Sequence, residues 1–270
     1  MTGDFSHTTL GRTNLEVFRL GLSATYRPGT AVIQQAAERG VNFFFSFGFD
    51  TQMRNALRDL FAKERGRYVL ATGAYNYIWT RQNLRRTLEK RLRQFRTDYI
   101  DLFLFLGVMK GKEFPEDVRE QLLRLREDGR VRFVGISTHD RTFAGRLANE
   151  GALDTLMIRY NAAHRGAEQD IFPYVIRHNI GIVSYTATRW SYLLRPPKGW
   201  PAGARVPTPG MAYRFVLSDP HVHLCLTAPR NLRELTENLS ALQDGPLNED
   251  ELQYMRQFGD AVHNSQRWFM

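Results

Sequence analysis

Eight short runs rich in Val, Ile, Leu and Phe alternate along this 270-residue chain with segments of helical spacing, and glycines punctuate the joints. Together these predict an α/β protein: a single (β/α)8 TIM barrel over residues 1–270, with an N-terminal β-hairpin cap and an extra C-terminal helix. The runs are Leu20–Ala24, Val41–Phe45, Tyr68–Thr72, Ile100–Leu106, Val131–Ile136, Thr155–Ile158, Gly181–Tyr185 and Val222–Leu226. Their apolar character is continuous rather than alternating, which suits parallel strands buried on both faces. A doubly wound sheet is the alternative, but no Gly-x-Gly-x-x-Gly follows the first run.

The segments between the runs carry apolar residues three and four apart. They predict helices over Ala31–Arg39, Gln52–Glu64, Arg81–Phe95, Glu116–Glu127, Arg141–Asn149, Glu168–His178, Met211–Leu217 and Leu232–Leu242. Thr80 stands as a cap and Pro115 fits a first helical turn. Gly40, Gly66, Gly129 and Gly151 stand where a left-handed C-terminal cap is expected. Before the repeat, residues 8–17 read as a hairpin turning at Gly11 to Asn14, placed across the closed end. After it, Asn248–His263 reads as a further helix packed outside. The stretch Arg189–Pro209, with Trp190 and Trp200, is a long loop at the exit of the seventh strand, where function is expected.

Composition narrows the class. At 43% hydrophobic and 24% charged residues the chain is an ordinary globular protein. No apolar run approaches the ~20 residues of a membrane span. Met1-Thr-Gly-Asp-Phe-Ser-His7 lacks the features of a signal peptide. The single cysteine, Cys225, excludes an internal disulfide. These features predict a cytoplasmic protein with no membrane partner. The net charge of +9 is carried mainly by arginines interleaved with acids and apolar residues, as in 81–93, which reads as a solvated helix face. No zinc-finger spacing or RNA-binding signature points to nucleic acid. His221-Val-His223 has metal-donor types, but it opens the eighth strand, away from the expected active rim, so no metal is expected.

The segment Arg39-Gly-Val-Asn-Phe-Phe-Phe-Ser-Phe-Gly-Phe-Asp50 resembles the first active-site signature of the aldo-keto reductases. Further frames follow in order. Thr97–Leu104 is similar to the family's strand-4 run and Gly129–Ser137 to its strand-5 run. Arg159-Tyr-Asn161 and Ser184-Tyr185 resemble the strand-6 and strand-7 ends. Pro229–Asn238 resembles the loop and helix holding the 2′-phosphate end of the dinucleotide. The resemblance covers nearly the whole chain and implies a barrel that reduces carbonyls with NADP(H).

It also locates what has changed. The family's aspartate and tyrosine positions carry Phe45 and Asp50, its lysine position Gly73 and its histidine position Leu106. A carbonyl that accepts hydride becomes an alkoxide and needs a donor or fixed dipoles. Loss of a general acid typically costs ~10²–10⁴-fold in rate. The resemblance therefore implies a tetrad-deficient member. On the cofactor side it assigns Ser137, Thr138, Tyr185, Thr186, Arg230, Glu237 and Asn238, with Thr138 and Met157 replacing an asparagine and a glutamine that grip the carboxamide.

New polar groups gather at the expected rim: Tyr75, Asn76, Tyr77, Lys110, Lys112, His139, Asp140, Arg159, His164 and Arg189. Asp50, Tyr75 and His139 are the candidate replacement catalytic set, with Asp50 and His139 as an acid/base pair. Three functions stay open: a redox enzyme with a non-standard set acting on a small carbonyl or alcohol, a non-redox lyase, isomerase or cyclase, and a silent pseudoenzyme that only binds.

Overall fold

Two small strands precede the barrel in the computed structural model, which describes residues 4–47, 49–76 and 83–265. β1 (His7–Thr9) and β2 (Glu16–Phe18) form an antiparallel hairpin. Eight parallel strands then close on one another: β3 (Leu20–Ser23), β4 (Phe43–Phe45), β5 (Val69–Tyr75), β6 (Ile100–Val108), β7 (Val131–Thr138), β8 (Thr155–Arg159), β9 (Gly181–Tyr185) and β10 (Leu224–Thr227). β10 pairs with both β9 and β3, which completes the barrel. All eight coincide with the apolar runs.

Two faces of each strand are buried for different reasons. Phe43, Phe45, Val69, Ala71, Leu102, Leu104, Met157 and Val183 fill the interior of the barrel. The residues between them, including Phe44, Leu70, Phe103 and Ile182, pack outward under the helices. Alternation inside a closed barrel makes both sets apolar, hence the unbroken runs.

The outer layer comprises α1 (Thr30–Glu38), α2 (Thr51–Glu64), α3 (Leu84–Phe95), α4 (Glu116–Glu127), α5 (Arg141–Glu150), α6 (Ala167–Asp170), α7 (Phe172–Val175), α8 (Pro209–Ser218), α9 (Leu232–Ser240) and α10 (Glu249–Ser265). Side-chain oxygens of Asp50, Asn83, Asp140, Thr208 and Asn231 cap the starts of α2, α3, α5, α8 and α9. Asn83 caps α3, whereas Thr80 and Arg81 lie outside the described residues. At the start of α10 the side-chain oxygens of Asn248 and Glu251 each accept from the other's backbone amide, a capping box.

Two expectations need correction. The helix read over Glu168–His178 is broken into α6, α7 and a 3₁₀ turn at Ile176–His178. Pro173 has no N–H to donate and its ring crowds the preceding turn, so one continuous helix cannot run through it. Gly40, Gly129 and Gly151 adopt the expected positive φ, but Gly66 does not; it lies in a 3₁₀ turn, Arg65–Arg67.

The hairpin closes the bottom of the barrel. Gly11 has φ 50°, and a Cβ there would stand 2.4 Å from the Gly181 nitrogen at the start of β9. Arg12 reaches Asp154, which also pairs with Arg126 and accepts from the Val134 amide. At the other end α10 lies against the segment after β8: a Cβ on Gly259 would meet the Ala162 carbonyl at 2.1 Å, and Arg165 bonds Asp260 at 2.7 Å. Among the described residues no helix is long and apolar enough to cross a membrane.

Candidate functional site

The strands deliver their C-terminal ends to one rim, and a cleft of about 540 Å³ opens there. That volume falls in the usual range for small-molecule and cofactor sites, roughly 300–1,000 Å³. Its inner end lies over the barrel, walled by Phe45, Leu106, Ser137, His139, Met157 and Tyr185. Its outer end lies between the β3–α1 loop and the start of α9, where Tyr26, Arg230, Arg233, Glu237 and Asn238 form the wall. The loop after β9 joins the two ends through Thr186, Ala187, Thr188, Trp190 and Ser191.

That loop is unusual in its backbone. Thr186, Arg189, Trp190 and Ser191 all have positive φ, between 44° and 71°. Such non-glycine conformations are uncommon and persist where surrounding structure fixes them. Here Arg189 supplies the fixing. It is fully buried, its Nη1 donates to the Val262 carbonyl on α10 at 2.9 Å, and its amide donates to the Thr186 carbonyl at 2.8 Å. Sequence reading put Arg189 on the polar rim; the left-handed turn carries it back into the body instead, as an anchor between loop and helix.

The inner end holds the polar pair. The Tyr185 hydroxyl lies 3.1 Å from Nε2 of His139, and the rings meet edge to face. Burial holds His139 below its ordinary pKa, and the charge of Arg159 adds to the effect, so the ring is neutral. Burial pushes Tyr185 up to about 12, while the Ser137 hydroxyl and Arg159 pull the other way. A neutral imidazole has one donor and one acceptor. Nδ1 of His139 is buried with no hydrogen-bond partner among the described residues. A bare N–H in such a place is rarer than an under-satisfied acceptor, which assigns the proton to Nε2. Nε2–H then donates to the Tyr185 oxygen, and the phenolic proton is left to the cleft.

The other sequence-derived residues divide into two groups. Ser137 is buried on the inner wall, and Thr186 has a buried hydroxyl with no partner among the described residues. Tyr75 lines the cleft and stacks on Phe47, ring centroids 6.0 Å apart at 21°. Asn238 is buried and donates to the Thr227 hydroxyl at 3.0 Å, which in turn donates to the Tyr213 oxygen at 2.9 Å. Glu237 pairs with Arg233 at 3.2 Å. The Arg230 guanidinium stands 5.1 Å over the Tyr26 ring, in cation–π range.

Asp50 and Thr138 are employed elsewhere. Asp50 Oδ1 accepts from the amides of Gln52 and Met53, and Asp50 lies outside the cleft lining. Thr138 turns outward, its hydroxyl accepting from the Asp140 amide at 3.1 Å. Asp140 caps α5, and Asn76 donates to Glu113. Tyr77 lies outside the described residues. Among those residues no group of three His, Cys, Asp or Glu is placed to hold a metal ion.

Phe45 and Leu106 face the inner end as apolar wall, and Gly73 admits no side chain there: its Cβ would stand 1.7 Å from the Leu104 carbonyl oxygen. Sequence reasoning missed Tyr26, Phe47, Arg233 and Tyr213 as wall residues. Trp190 was legible only as part of a long loop, and Tyr26 carries no sequence signal because an exposed loop aromatic is common.

The residues at the two ends fit a dinucleotide. Arg230 and Arg233 precede and open α9, whose N-terminus adds partial positive charge suited to phosphate. The buried Thr186 hydroxyl, without a partner among the described residues, and the Ser137 hydroxyl offer polar contacts to an amide-bearing ring at the inner end.

A family model described as the aldo/keto reductase family matches residues 30–194, more than half of the chain. The chain is 20% identical over 290 aligned positions to an uncharacterised oxidoreductase, YqkF, of Bacillus subtilis (strain 168), across 92% of this chain and 94% of that protein. It is similar in structure to the aldo-keto reductase AKR11C1 of Bacillus halodurans in its holo form, with a TM-score of 0.78 and 20% identity over 97% of this chain and 99% of that one. An aldo/keto reductase of Klebsiella pneumoniae, solved in complex with NADP and acetate, aligns with a TM-score of 0.73 and 20% identity over 98% and 99% of the two chains. At that identity the structural likenesses speak for the fold.

Proposed function

The chain belongs to the aldo/keto reductase family, and on that premise we propose that it binds NADP(H) along the cleft and acts as an oxidoreductase on a small carbonyl or alcohol with a non-standard set of groups. The single observation that carries this reading is one continuous cleft with Arg230 at its outer end and the Tyr185–His139 pair at its inner end. A bound nicotinamide cofactor would supply or take the hydride.

The chain's own residues do the rest. The Arg230 fork suits a 2′-phosphate, with Arg233 and the start of α9 adding charge. Asn238 and Glu237 flank the adenosine end, and Ser137 and Thr186 orient the carboxamide. Tyr185 hands its proton to a developing alkoxide, and Nε2–H of His139 and the charge of Arg159 stabilise the phenolate left behind. Phe45, Leu106 and Met157 exclude water from that point. Asp50 takes no part.

Calorimetry tests the reading directly. NADPH should bind more tightly than NADH, and Arg230→Ala should weaken NADPH by about tenfold, ~1.4 kcal/mol, while leaving NADH unchanged. Absence of heat with either nucleotide overturns the proposal. A silent binding protein is the second reading, favoured by the apolar Phe45, Leu106 and Met157 around the inner end. NADPH binding without turnover across aldehydes, ketones and quinones would establish it.

A further inference from the structure

Four aromatic rings gather where the inner end of the cleft meets solvent. Phe45 and Phe47 meet edge to face at 4.9 Å. Phe47 stacks on Tyr75 at 6.0 Å and 21°, and on Phe49 at 5.7 Å and 20°. Phe49 also faces Tyr75 at 6.3 Å. Phe45, Phe47 and Tyr75 all line the cleft, beside Leu106 and Met157. This is not interior packing alone. Phe47 and Tyr75 are only half-buried, and Phe49 is 70% exposed. Aromatic surface held together at a cleft mouth, with its apolar area incompletely removed from water, is the kind of patch that a ligand covers.

The chemistry of the same wall narrows the ligand. Phe45 and Leu106 supply neither a cation nor a donor, and the proposed acid is Tyr185, backed by His139. Hydride delivered to an aliphatic ketone leaves an alkoxide, whose conjugate acid is roughly as weak as water. That product requires a strong donor at the moment of transfer. Hydride delivered to a quinone leaves a hydroquinone monoanion, an acid of phenol type with a pKa of ~10. That product needs little protonic help, and its planar ring matches an aromatic wall.

We propose that the substrate is a quinone-type planar carbonyl that lies against Phe47 and Tyr75, and this rests on the NADP(H) reading. The step balances as a two-electron reduction. A bound reduced nicotinamide would supply the one hydride and be left oxidised. The quinone becomes the hydroquinone monoanion, which then takes one proton from Tyr185 or water. Tyr185 recovers its proton from solvent through the open cleft. No single-electron intermediate is formed.

The probe is 1,4-naphthoquinone. Calorimetry on protein saturated with NADP⁺, where no turnover occurs, should detect its binding. Phe47→Ala and Tyr75→Ala should each weaken that binding by about tenfold, in line with the loss of a stacked ring. Affinity for NADP⁺ should stay within twofold. Phe47→Leu keeps apolar volume without a π face and guards against misfolding of the alanine variant; it should fall between the two. In turnover, naphthoquinone should outpace cyclohexanone by at least ~10²-fold, the lower end of what general-acid help contributes to a step that depends on it. NADP⁺ binding without naphthoquinone binding overturns the inference and spares the cofactor reading. Equal turnover of naphthoquinone and cyclohexanone does the same. Failure of both NADPH and NADP⁺ to bind removes the two together.

Discussion

A Cβ on Gly73 would stand 1.7 Å from the carbonyl oxygen of Leu104. The two residues are paired across β5 and β6, and Nε of the buried Arg91 donates to the Gly73 carbonyl at 3.1 Å. The strand approach has therefore closed over the position that the sequence resemblance matches to the family's lysine. Gly73→Lys should destabilise the protein by about 3 kcal/mol or more, because relief requires the shift of a backbone carbonyl rather than of a flexible side chain. It should bring no gain in carbonyl reduction, alone or combined with Leu106→His. Urea unfolding and a ketone assay check both halves; a well-folded, lysine-bearing variant that reduces ketones would refute the account.

Asp50 caps α2 through Oδ1. Asparagine serves nearly as well at such a position, whereas alanine loses the acceptor. Asp50→Asn should leave stability within about 0.5 kcal/mol and leave turnover intact, and Asp50→Ala should lose about 1 kcal/mol. Loss of turnover in a stable Asp50→Asn protein would return this residue to the catalytic set.

His139 is held neutral first by burial and then by Arg159. Removing a nearby positive charge makes the imidazolium easier to form. Arg159→Gln should therefore raise the His139 pKa toward, but not up to, its ordinary value, since burial persists. A proton NMR titration of the ring reads this, and an unchanged or lower pKa would exclude the electrostatic contact.

His223 gives a stability prediction. Burial first, then the charge of Arg19, lowers its pKa to about 4, and Nδ1 accepts from the Ile182 amide at 3.1 Å. The unfolded chain takes up a proton near pH 6.5, well before the folded one does. Between those values the unfolded state binds more protons, so stability falls as the pH drops from about 6.5 to 4. His223→Asn keeps an acceptor for Ile182 and removes the titration. It should lose less stability than the wild type over that window, although His164, lowered to about 3 mainly by burial, keeps part of the slope. Thermal melts at pH 7 and pH 5 compare the two proteins, and equal acid sensitivity would refute the assignment.

Much of the molecule is legible in the sequence. The eight runs became the eight strands because a residue buried on either barrel face must be apolar, and that requirement is written locally. Cap residues such as Asn248 and C-terminal glycines such as Gly151 were readable for a similar reason: each answers to backbone groups a few positions away. The single helix read over 168–178 was the exception, since its apolar spacing outweighed Pro173. Of the cleft-lining residues, Ser137, Tyr185 and Arg230 were named from the family frames and His139 from its place just after the fifth strand.

The amino-acid sequence by itself determined the barrel, its order of elements and its rim, because each follows from short-range pattern or from ordered frames. Only the tertiary structure decided which rim groups meet. It joined Tyr185 to His139 across 46 positions of sequence, sent Asp50 and Thr138 to local backbone duties, buried Arg189 beneath its own loop and gathered Phe47 against Tyr75. The reason is geometric. A side chain's type is local, but its partner depends on how barrel closure staggers one strand end beside another.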